Sequence, residues 1–88
     1  MHTQLQTNIS PKMKIAKKVL TLIDTNGTRN RLAVALGKSE SSIKRYIDSN
    51  SDDLTKAAAI EVIMHVTNLS REEILEYSHE DRILQIHN

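Results

Sequence analysis

The chain has 88 residues, which is the size of one domain with a single modest core. It contains no cysteine, and this excludes disulfides, thiolate metal sites and thiol nucleophiles. Two tyrosines without phenylalanine or tryptophan leave an aliphatic core. No apolar run approaches the length of a membrane span, and the first residues are too polar for a signal peptide. We therefore expect a cytoplasmic protein with no membrane partner.

The net charge of +1 conceals an asymmetry between the two halves of the chain. Residues 1–47 carry nine basic residues and only two acidic ones, Asp24 and Glu40, whereas residues 48–88 carry three basic and nine acidic residues. A basic half commonly meets a polyanion, and an acidic half then points elsewhere. The charges predict a polyanionic partner for the N-terminal half and leave the acidic C-terminal half for a protein partner.

The first predicted elements are an arm and a helix. Residues 1–10 are polar and lack helical spacing, so they predict a flexible arm. Ser10 followed by Pro11 is typical of a helix start, and the apolar spacing predicts a helix over residues 11–24. An Asn-Gly pair at residues 26–27 is predicted to end this helix in the left-handed conformation.

Two short helices joined by a tight turn follow. Thr28 is predicted to cap a helix over residues 29–36, which Gly37 ends. Ser39 is predicted to cap a third helix, over residues 40–48. The second helix is expected to face the core with Leu32, Ala33 and Leu36, and the third with Ile43, Tyr46 and Ile47.

The acidic half predicts two more helices. A polar loop at residues 50–53 precedes a fourth helix over residues 55–67, which is apolar on two faces. The second of these faces consists of Ala57, Ile60 and Met64. Either the small domain buries both faces, or the second face forms a homodimer. Ser70 and Glu73 have the spacing of a capping box for a fifth helix, over residues 71–77.

The last residues, 78–88, are consistent with a further helical turn or a short strand. Their apolar side chains are a candidate dimerisation segment: Ile83, Leu84 and Ile86. The whole pattern predicts an all-α fold, a compact bundle of about five short helices. Its second and third helices form a helix-turn-helix. The domain is predicted to span residues 11–77, between the arm and the tail.

Residues 28–48, TRNRLAVALGKSESSIKRYID, carry this motif. A small residue, Ala33, stands where the helices cross, and Gly37 stands where the backbone turns with positive φ. A residue with a Cβ would be strained there by about 1 kcal/mol or more. The turn and core of the motif comprise Leu32, Ala33, Leu36, Gly37, Ile43 and Tyr46. In these residues and their spacing, the segment resembles the helix-turn-helix of the phage Cro and lambda-repressor superfamily, also called the Xre type.

The resemblance implies a sequence-specific transcriptional regulator of phage or prophage type, such as a repressor, in a bacterial or phage-infected cell. It would bind double-stranded DNA as a homodimer, with the third predicted helix in the major groove. Base readout is expected from Glu40, Ser41, Lys44 and Arg45. Phosphate contacts are expected from Lys17, Lys18, Thr28, Arg29, Asn30, Lys38, Ser39, Asn50 and Ser51. Two residues depart from the family pattern: Lys38 replaces a usual apolar residue, and Arg29 stands where glutamine is common.

Other interpretations stay open at several of these residues. Glu40 opens a helix, where capping alone explains a carboxylate. Lys17 and Lys18 lie on a face that is also typical of a solvated surface, and Tyr46 is expected in the core rather than as a base-stacking platform. The second class of function is a protein-interaction module, such as an antirepressor or an antitoxin-like partner.

The sequence offers no pattern for catalysis. It has no paired carboxylates at a suitable spacing, no serine–histidine arrangement and no glycine-rich phosphate loop. Its four histidines are scattered without the spacing of metal ligands. We therefore expect no enzymatic activity, no cofactor and no metal.

Overall fold

The computed structural model describes residues 13–77 and contains, within that range, five α-helices, one 3-10 helix and a two-stranded sheet. The strands are β1 (Met13–Ile15) and β2 (Leu75–Tyr77). The α-helices are α1 (Lys17–Ile23), α2 (Asn26–Leu36), α3 (Glu40–Ser49), α4 (Ala57–Thr67) and α5 (Arg71–Ile74). The predicted helical fold is confirmed, and the small sheet is an addition to it. The predicted arm, residues 1–10, and the predicted tail, residues 78–88, lie outside the described residues.

The two strands join opposite ends of the described chain. They pair antiparallel, with Met13 opposite Tyr77 and Ile15 opposite Leu75. The fully buried Ile15 anchors this pair in the core. Immediately after β1, the Ala16 N–H donates a 2.7 Å hydrogen bond to a carbonyl oxygen of α5. The pairing therefore fixes the start of α1 against the end of α5.

This pairing corrects the first and last predicted helices. The helix predicted over residues 11–24 begins only at Lys17, because residues 13–15 are extended and hydrogen-bonded to β2. The helix predicted over residues 71–77 ends at Ile74 for the same reason. The helical apolar spacing of residues 13–15 continues into α1, so the sequence pattern alone offered no sign of a strand.

The boundary between α1 and α2 lies earlier than predicted. Thr25, not Thr28, caps α2, because the Thr25 side chain accepts a 3.3 Å hydrogen bond from the Thr28 N–H. Asn26 and Gly27 form the first turn of α2, and neither has a positive φ. The prediction that this Asn-Gly pair ends a helix is therefore wrong. Thr28 is buried beneath the first turn instead of standing at the helix start.

The other helix ends follow familiar rules. Gly37, Asn50 and Asn68 end α2, α3 and α4 with left-handed backbone, at φ angles of 65°, 51° and 62°. Ser39 caps α3 by accepting a 3.1 Å hydrogen bond from the Ser42 N–H. The predicted capping box before α5 is also present, because each of its two side chains binds the backbone N–H of the other residue.

The segment between α3 and α4 is more ordered than the predicted loop at residues 50–53. A 3-10 helix covers Asp52–Thr55, and its Leu54 is fully buried. The N-cap of α4 is Lys56, so α4 begins at Ala57 rather than at Thr55.

The core is aliphatic, as the composition predicts. Its buried apolar residues come from β1, from the N-cap of α1, from every α-helix and from the 3-10 helix: Ile15, Ala16, Val19, Ile23, Leu32, Ile43, Ile47, Leu54, Ala59, Ile60, Ile63 and Ile74. Burial of each large side chain contributes roughly 1.5–3 kcal/mol. The described helices are all too short or too polar to cross a membrane.

The two predicted apolar faces of α4 have different environments from those expected. Ile60, which was assigned to the second face, is buried together with Ala59 and Ile63. Ala57 and Met64, the other members of the second face, are exposed. The domain therefore buries one broad face of α4 and leaves the rest of the helix at the surface.

Candidate nucleic-acid interface

The helix-turn-helix consists of α2, the turn at Gly37 and α3. Leu32 of α2 and Ile43 of α3 are fully buried, while Ala33, Leu36 and Tyr46 pack half-buried against the same core. The turn is closed by a 2.9 Å hydrogen bond that the Lys38 N–H donates to the carbonyl of Ala33. Helix α3 is thereby held at one face and leaves its other face at the surface.

Helix α3 presents four rows of side chains, because residues four apart lie on the same side of a helix. One of them, Ser42 and Tyr46, is half-buried. The buried row is Ile43 and Ile47. The row that we call the paired row is Glu40, Lys44 and Asp48. The row that we call the outer row is Ser41, Arg45 and Ser49, and all three of these residues are exposed.

Among residues 13–77, the outer row makes hydrogen bonds only within α3. Arg45 Nη2 donates to Ser42 Oγ at 3.2 Å, one turn earlier in the same helix. Ser49 Oγ donates to the carbonyl of Arg45 at 2.8 Å. Among residues 13–77, no carboxylate lies within ion-pair distance of Arg45. The Arg45 guanidinium therefore has donors to spare for a partner.

The paired row, in contrast, is tied to α2 through Arg29. The Arg29 guanidinium donates from Nη1 to Asp24 Oδ1 at 2.6 Å and from Nη2 to Asn26 Oδ1 at 2.5 Å. Its Nε donates to Glu40 Oε2 at 3.4 Å. Only 17% of the Arg29 side chain is exposed. This arginine joins the starts of α2 and α3 and is not a free cation.

Asp24, just after α1, joins Arg29 to Lys44. While its Oδ1 accepts from Arg29, its Oδ2 accepts from Lys44 Nζ at 3.1 Å, and Lys44 Nζ also donates to Asp48 Oδ1 at 3.2 Å. The hydrogen bond from Lys44, together with that from Arg29, lowers the pKa of Asp24 below its ordinary value. The bonds to Asp24 and then Asp48 raise the pKa of Lys44. Both groups therefore stay charged at neutral pH.

We refer to this set as the Asp24 network: Asp24, Asn26, Arg29, Glu40, Lys44 and Asp48. It contains three carboxylates and two cations, so its own formal charge is negative. A surface that the sequence predicted to be basic is neutralised where α1, α2 and α3 meet.

Several predicted DNA contacts do come together at one place. Arg29, Glu40, Ser41 and Lys44 line one shallow depression between the start of α2 and the first turns of α3. The remaining base-readout residue, Arg45, projects from the neighbouring outer row. Three predicted phosphate contacts are exposed on α2 and at the turn: Asn30, Lys38 and Ser39.

The two lysines predicted to contact phosphate lie on different sides of α1. Lys17 lies beside the end of α3, in a depression that it shares with Asp48 and Ser49. Lys18 lies on the side of α5, where its charge helps to lower the pKa of Glu73 after the larger effect of the Ser70 backbone N–H. Only Lys17 therefore borders the surface of α3.

Three other predicted phosphate contacts have structural roles. Thr28 is buried. The side-chain amide of Asn50 donates to the Ile15 carbonyl at 3.0 Å and its oxygen accepts from the Ile15 N–H at 3.2 Å. Ser51 caps the 3-10 helix by accepting a 3.1 Å hydrogen bond from the Asp53 N–H. The side-chain amide of Asn50 is thus committed to β1, and Ser51 is committed to the chain that follows it.

The sequence reasoning missed Asp24, Asn26 and Asp48 as members of the site. One signal for Asp24 was present. Asp24 and Glu40 are the only acidic residues among residues 1–47, and both bind Arg29. The presence of two isolated acidic residues in a basic segment therefore indicated that they pair with an arginine, here Arg29.

The α3 surface combines an unpaired arginine and two serines in the outer row with a neutralised network beside it. Such a set favours binding by directed hydrogen bonds over binding by charge alone. Comparisons of the chain with protein-family models, with curated proteins and with solved structures find no match.

Proposed function

We propose that this protein is a sequence-specific DNA-binding regulator of transcription that reads the major groove with the outer row of α3. The observation that carries the proposal is the Arg45 guanidinium in the middle of an exposed helix face, where it has no ion pair among residues 13–77 and makes one hydrogen bond, to Ser42. An α-helix fits the width of the major groove, and an arginine fork pairs with the N7 and O6 acceptors of guanine. Ser41 and Ser49, one turn to either side, supply hydroxyls for neighbouring bases or phosphates.

Contacts to phosphate are assigned to exposed groups near both ends of α3. Lys38 lies in the turn before the helix, and Lys17 lies beside its end. Ser39 adds a hydrogen-bonding group at the turn, whereas the exposed Asn30 lines the depression that holds Val34 and Val62. Arg29 has a different role from the one predicted, since its guanidinium is occupied by Asp24, Asn26 and Glu40. It positions α3 rather than meeting a phosphate.

Binding as a homodimer is part of the proposal. We call the apolar surface of α2 and α4 the α2–α4 patch: the exposed Val34, Ala35 and Met64 with the half-buried Val62. Val34 is 83% exposed, which is unusual for a side chain of this kind. Arg31 and Glu61 lie at the edge of the patch, and a two-fold axis that passes between them places Arg31 of one copy opposite Glu61 of the other. Val34→Glu places like charges opposite each other at the two-fold axis, so we expect this variant to sediment as a monomer. Leu22→Glu, at an exposed residue of α1, is the control and should sediment as the parent does.

The test of base readout begins with selection of bound sequences from a random duplex pool. The selected duplex and a scrambled one are then titrated at several salt concentrations. Arg45→Ala should weaken binding to the selected duplex by about 1–3 kcal/mol and leave the scrambled duplex nearly unchanged. Arg71→Ala, at an exposed arginine of α5, is the matched control and should affect neither duplex.

Two outcomes would contradict the proposal. Failure of the pool to converge on a sequence, with no duplex bound at low salt, would remove DNA binding altogether. An equal loss on both duplexes for Arg45→Ala would make Arg45 a phosphate contact and displace the outer row from the groove. A symmetric dimer should select a near-palindrome whose half-site centres lie about 10 base pairs apart.

A protein-interaction module is the second candidate, and one surface favours it. Met13, Leu75 and Tyr77 form an apolar depression that Arg71, Glu72 and Glu76 border, so its rim carries a net negative charge. This is a suitable surface for a basic, partly apolar protein segment. The two functions separate on a heparin column at low salt. A module that binds only proteins flows through, whereas a DNA-binding protein is retained and elutes in a salt gradient.

A further inference from the structure

Asp24 is placed to control how strongly the α3 surface attracts DNA. It follows α1 directly, and its two carboxylate oxygens take one cation each, from Arg29 of α2 and from Lys44 of α3. With only 30% of its side chain exposed, it lies beneath the paired row rather than beside it. One carboxylate therefore fastens three helices at the point where the candidate interface begins.

The ion pairs of Lys44 determine how readily it can bind a DNA phosphate. Lys44 is the one cation of the paired row, and it is shared between Asp24 and Asp48 at 3.1 and 3.2 Å. A DNA phosphate that approaches Lys44 has to compete with two carboxylates already in contact. Lys38, in the turn, has no ion pair among the described residues. The two lysines therefore differ in their availability to a phosphate.

We propose that Asp24 is a specificity-determining residue that lowers non-specific DNA binding by holding Lys44 away from phosphates. This inference rests on the proposed DNA-binding function. Non-specific affinity comes almost wholly from cations that neutralise phosphates, whereas base readout depends on directed hydrogen bonds. A carboxylate that occupies a cation of the interface therefore weakens binding to any sequence. It spares the contacts of Arg45, which lies outside the network.

The simple alternative is that Asp24 only stabilises the junction of the helices. The salt dependence of binding distinguishes the two roles. A purely structural residue changes the fraction of folded protein and leaves the number of phosphates neutralised by the folded form unchanged. A residue that withholds a cation changes that number, and the slope of log K against log salt changes with it.

The central experiment compares Asp24→Asn with Glu72→Gln on a scrambled duplex over a range of salt concentrations. Both substitutions remove one negative charge, and Glu72 is an exposed residue of α5. Asp24→Asn should tighten binding about fivefold to tenfold near 0.1 M salt and steepen the slope by up to about one unit, since it leaves Lys44 paired only with the exposed Asp48. Glu72→Gln should leave the slope unchanged. The ratio of affinities for the selected and scrambled duplexes should fall in Asp24→Asn.

A second pair of variants tests the inference without altering Asp24. Lys44→Gln should weaken scrambled-duplex binding by less than about twofold, because Lys44 is already engaged. Lys38→Gln should weaken it about fivefold to tenfold and flatten the slope by about one unit. Both lysines are exposed, so neither substitution endangers the core. In a Lys44→Gln background, Asp24→Asn should no longer tighten binding beyond the effect of Glu72→Gln.

The outcomes separate this inference from the function on which it rests. A parent protein that binds neither duplex overturns both. A parent that binds, with Asp24→Asn indistinguishable from Glu72→Gln, overturns only the role of Asp24. That role is also overturned if Lys44→Gln and Lys38→Gln weaken scrambled-duplex binding equally. Thermal unfolding of each variant confirms that the titrated protein is folded.

Discussion

The turn after α2 and the turn after α3 have the same backbone conformation but different connections. Gly37 ends α2 at a φ of 65°, and a Cβ placed on it would meet no atom within 4 Å. Asn50 ends α3 at a φ of 51°, and its side chain holds both backbone polar groups of Ile15. The first turn therefore has only a conformational requirement. The second also joins the helix-turn-helix to the sheet, so one residue links local and long-range structure.

The largest effect is expected from Asn50→Ala. This change places an alanine at positive φ and leaves the Ile15 N–H and carbonyl without their partner. We expect a loss of about 2–4 kcal/mol in the free energy of unfolding, measured in urea. Asn68→Ala is the matched control, because Asn68 has a φ of 62° and is exposed. It should lose only about 1 kcal/mol, and equal losses in the two variants would remove the proposed link to β1.

A smaller effect is expected at Gly37. Gly37→Ala should destabilise the protein by about 1 kcal/mol through backbone strain alone, since the space around the new Cβ is open. Gly27→Ala is the matched control in the first turn of α2, where φ is not positive and the space is equally open. It should stabilise the protein by about 0.5–1 kcal/mol, as alanine does within helices. If both variants are destabilised alike, the left-handed turn is not what requires the glycine.

The smallest effect concerns pH. The pKa of Asp24 is lowered, chiefly by its hydrogen bond from Lys44. The stability that Asp24 contributes to the fold is therefore fully present above the ordinary carboxyl pKa. It is lost as the pH falls through the lower pKa of the folded state. Glu73 behaves likewise because it accepts the Ser70 N–H. The midpoint of unfolding should therefore fall as the pH is lowered from 6 to about 2. In Asp24→Asn the midpoint should fall less steeply with pH but should still fall, since Glu73 remains. If the pH dependence of the midpoint is the same in this variant as in the parent, the lowered pKa assigned to Asp24 is wrong.

The parts of the fold that the sequence predicted depend on neighbours close in the chain. Gly37, Ser39 and the Ser70–Glu73 capping box each act within one helical turn, and all are present. The strand at residues 13–15 was not predictable in this way, because its partner lies at the other end of the described chain.

In the candidate site, too, the features set by neighbours in the chain were predictable and those set by long-range contacts were not. The exposed outer row of α3, with Arg45, follows from helical spacing. The occupation of Arg29 and Lys44 by Asp24 does not, because it depends on how α1 is placed against α2 and α3. Asn50 was assigned to phosphate for a related reason: the sequence shows a polar residue after a helix but not the strand to which it is bonded.

The register of the two strands has a consequence for how this domain can be combined with others. Met13 and Tyr77 are paired residues, so the described chain enters and leaves the fold at adjacent points. A domain with neighbouring ends can be inserted into a surface loop of a host protein without stretching the host, and its own ends can be joined by a short linker. The strand pair thus gives residues 13–77 the adjacent entry and exit points that such an insertion requires.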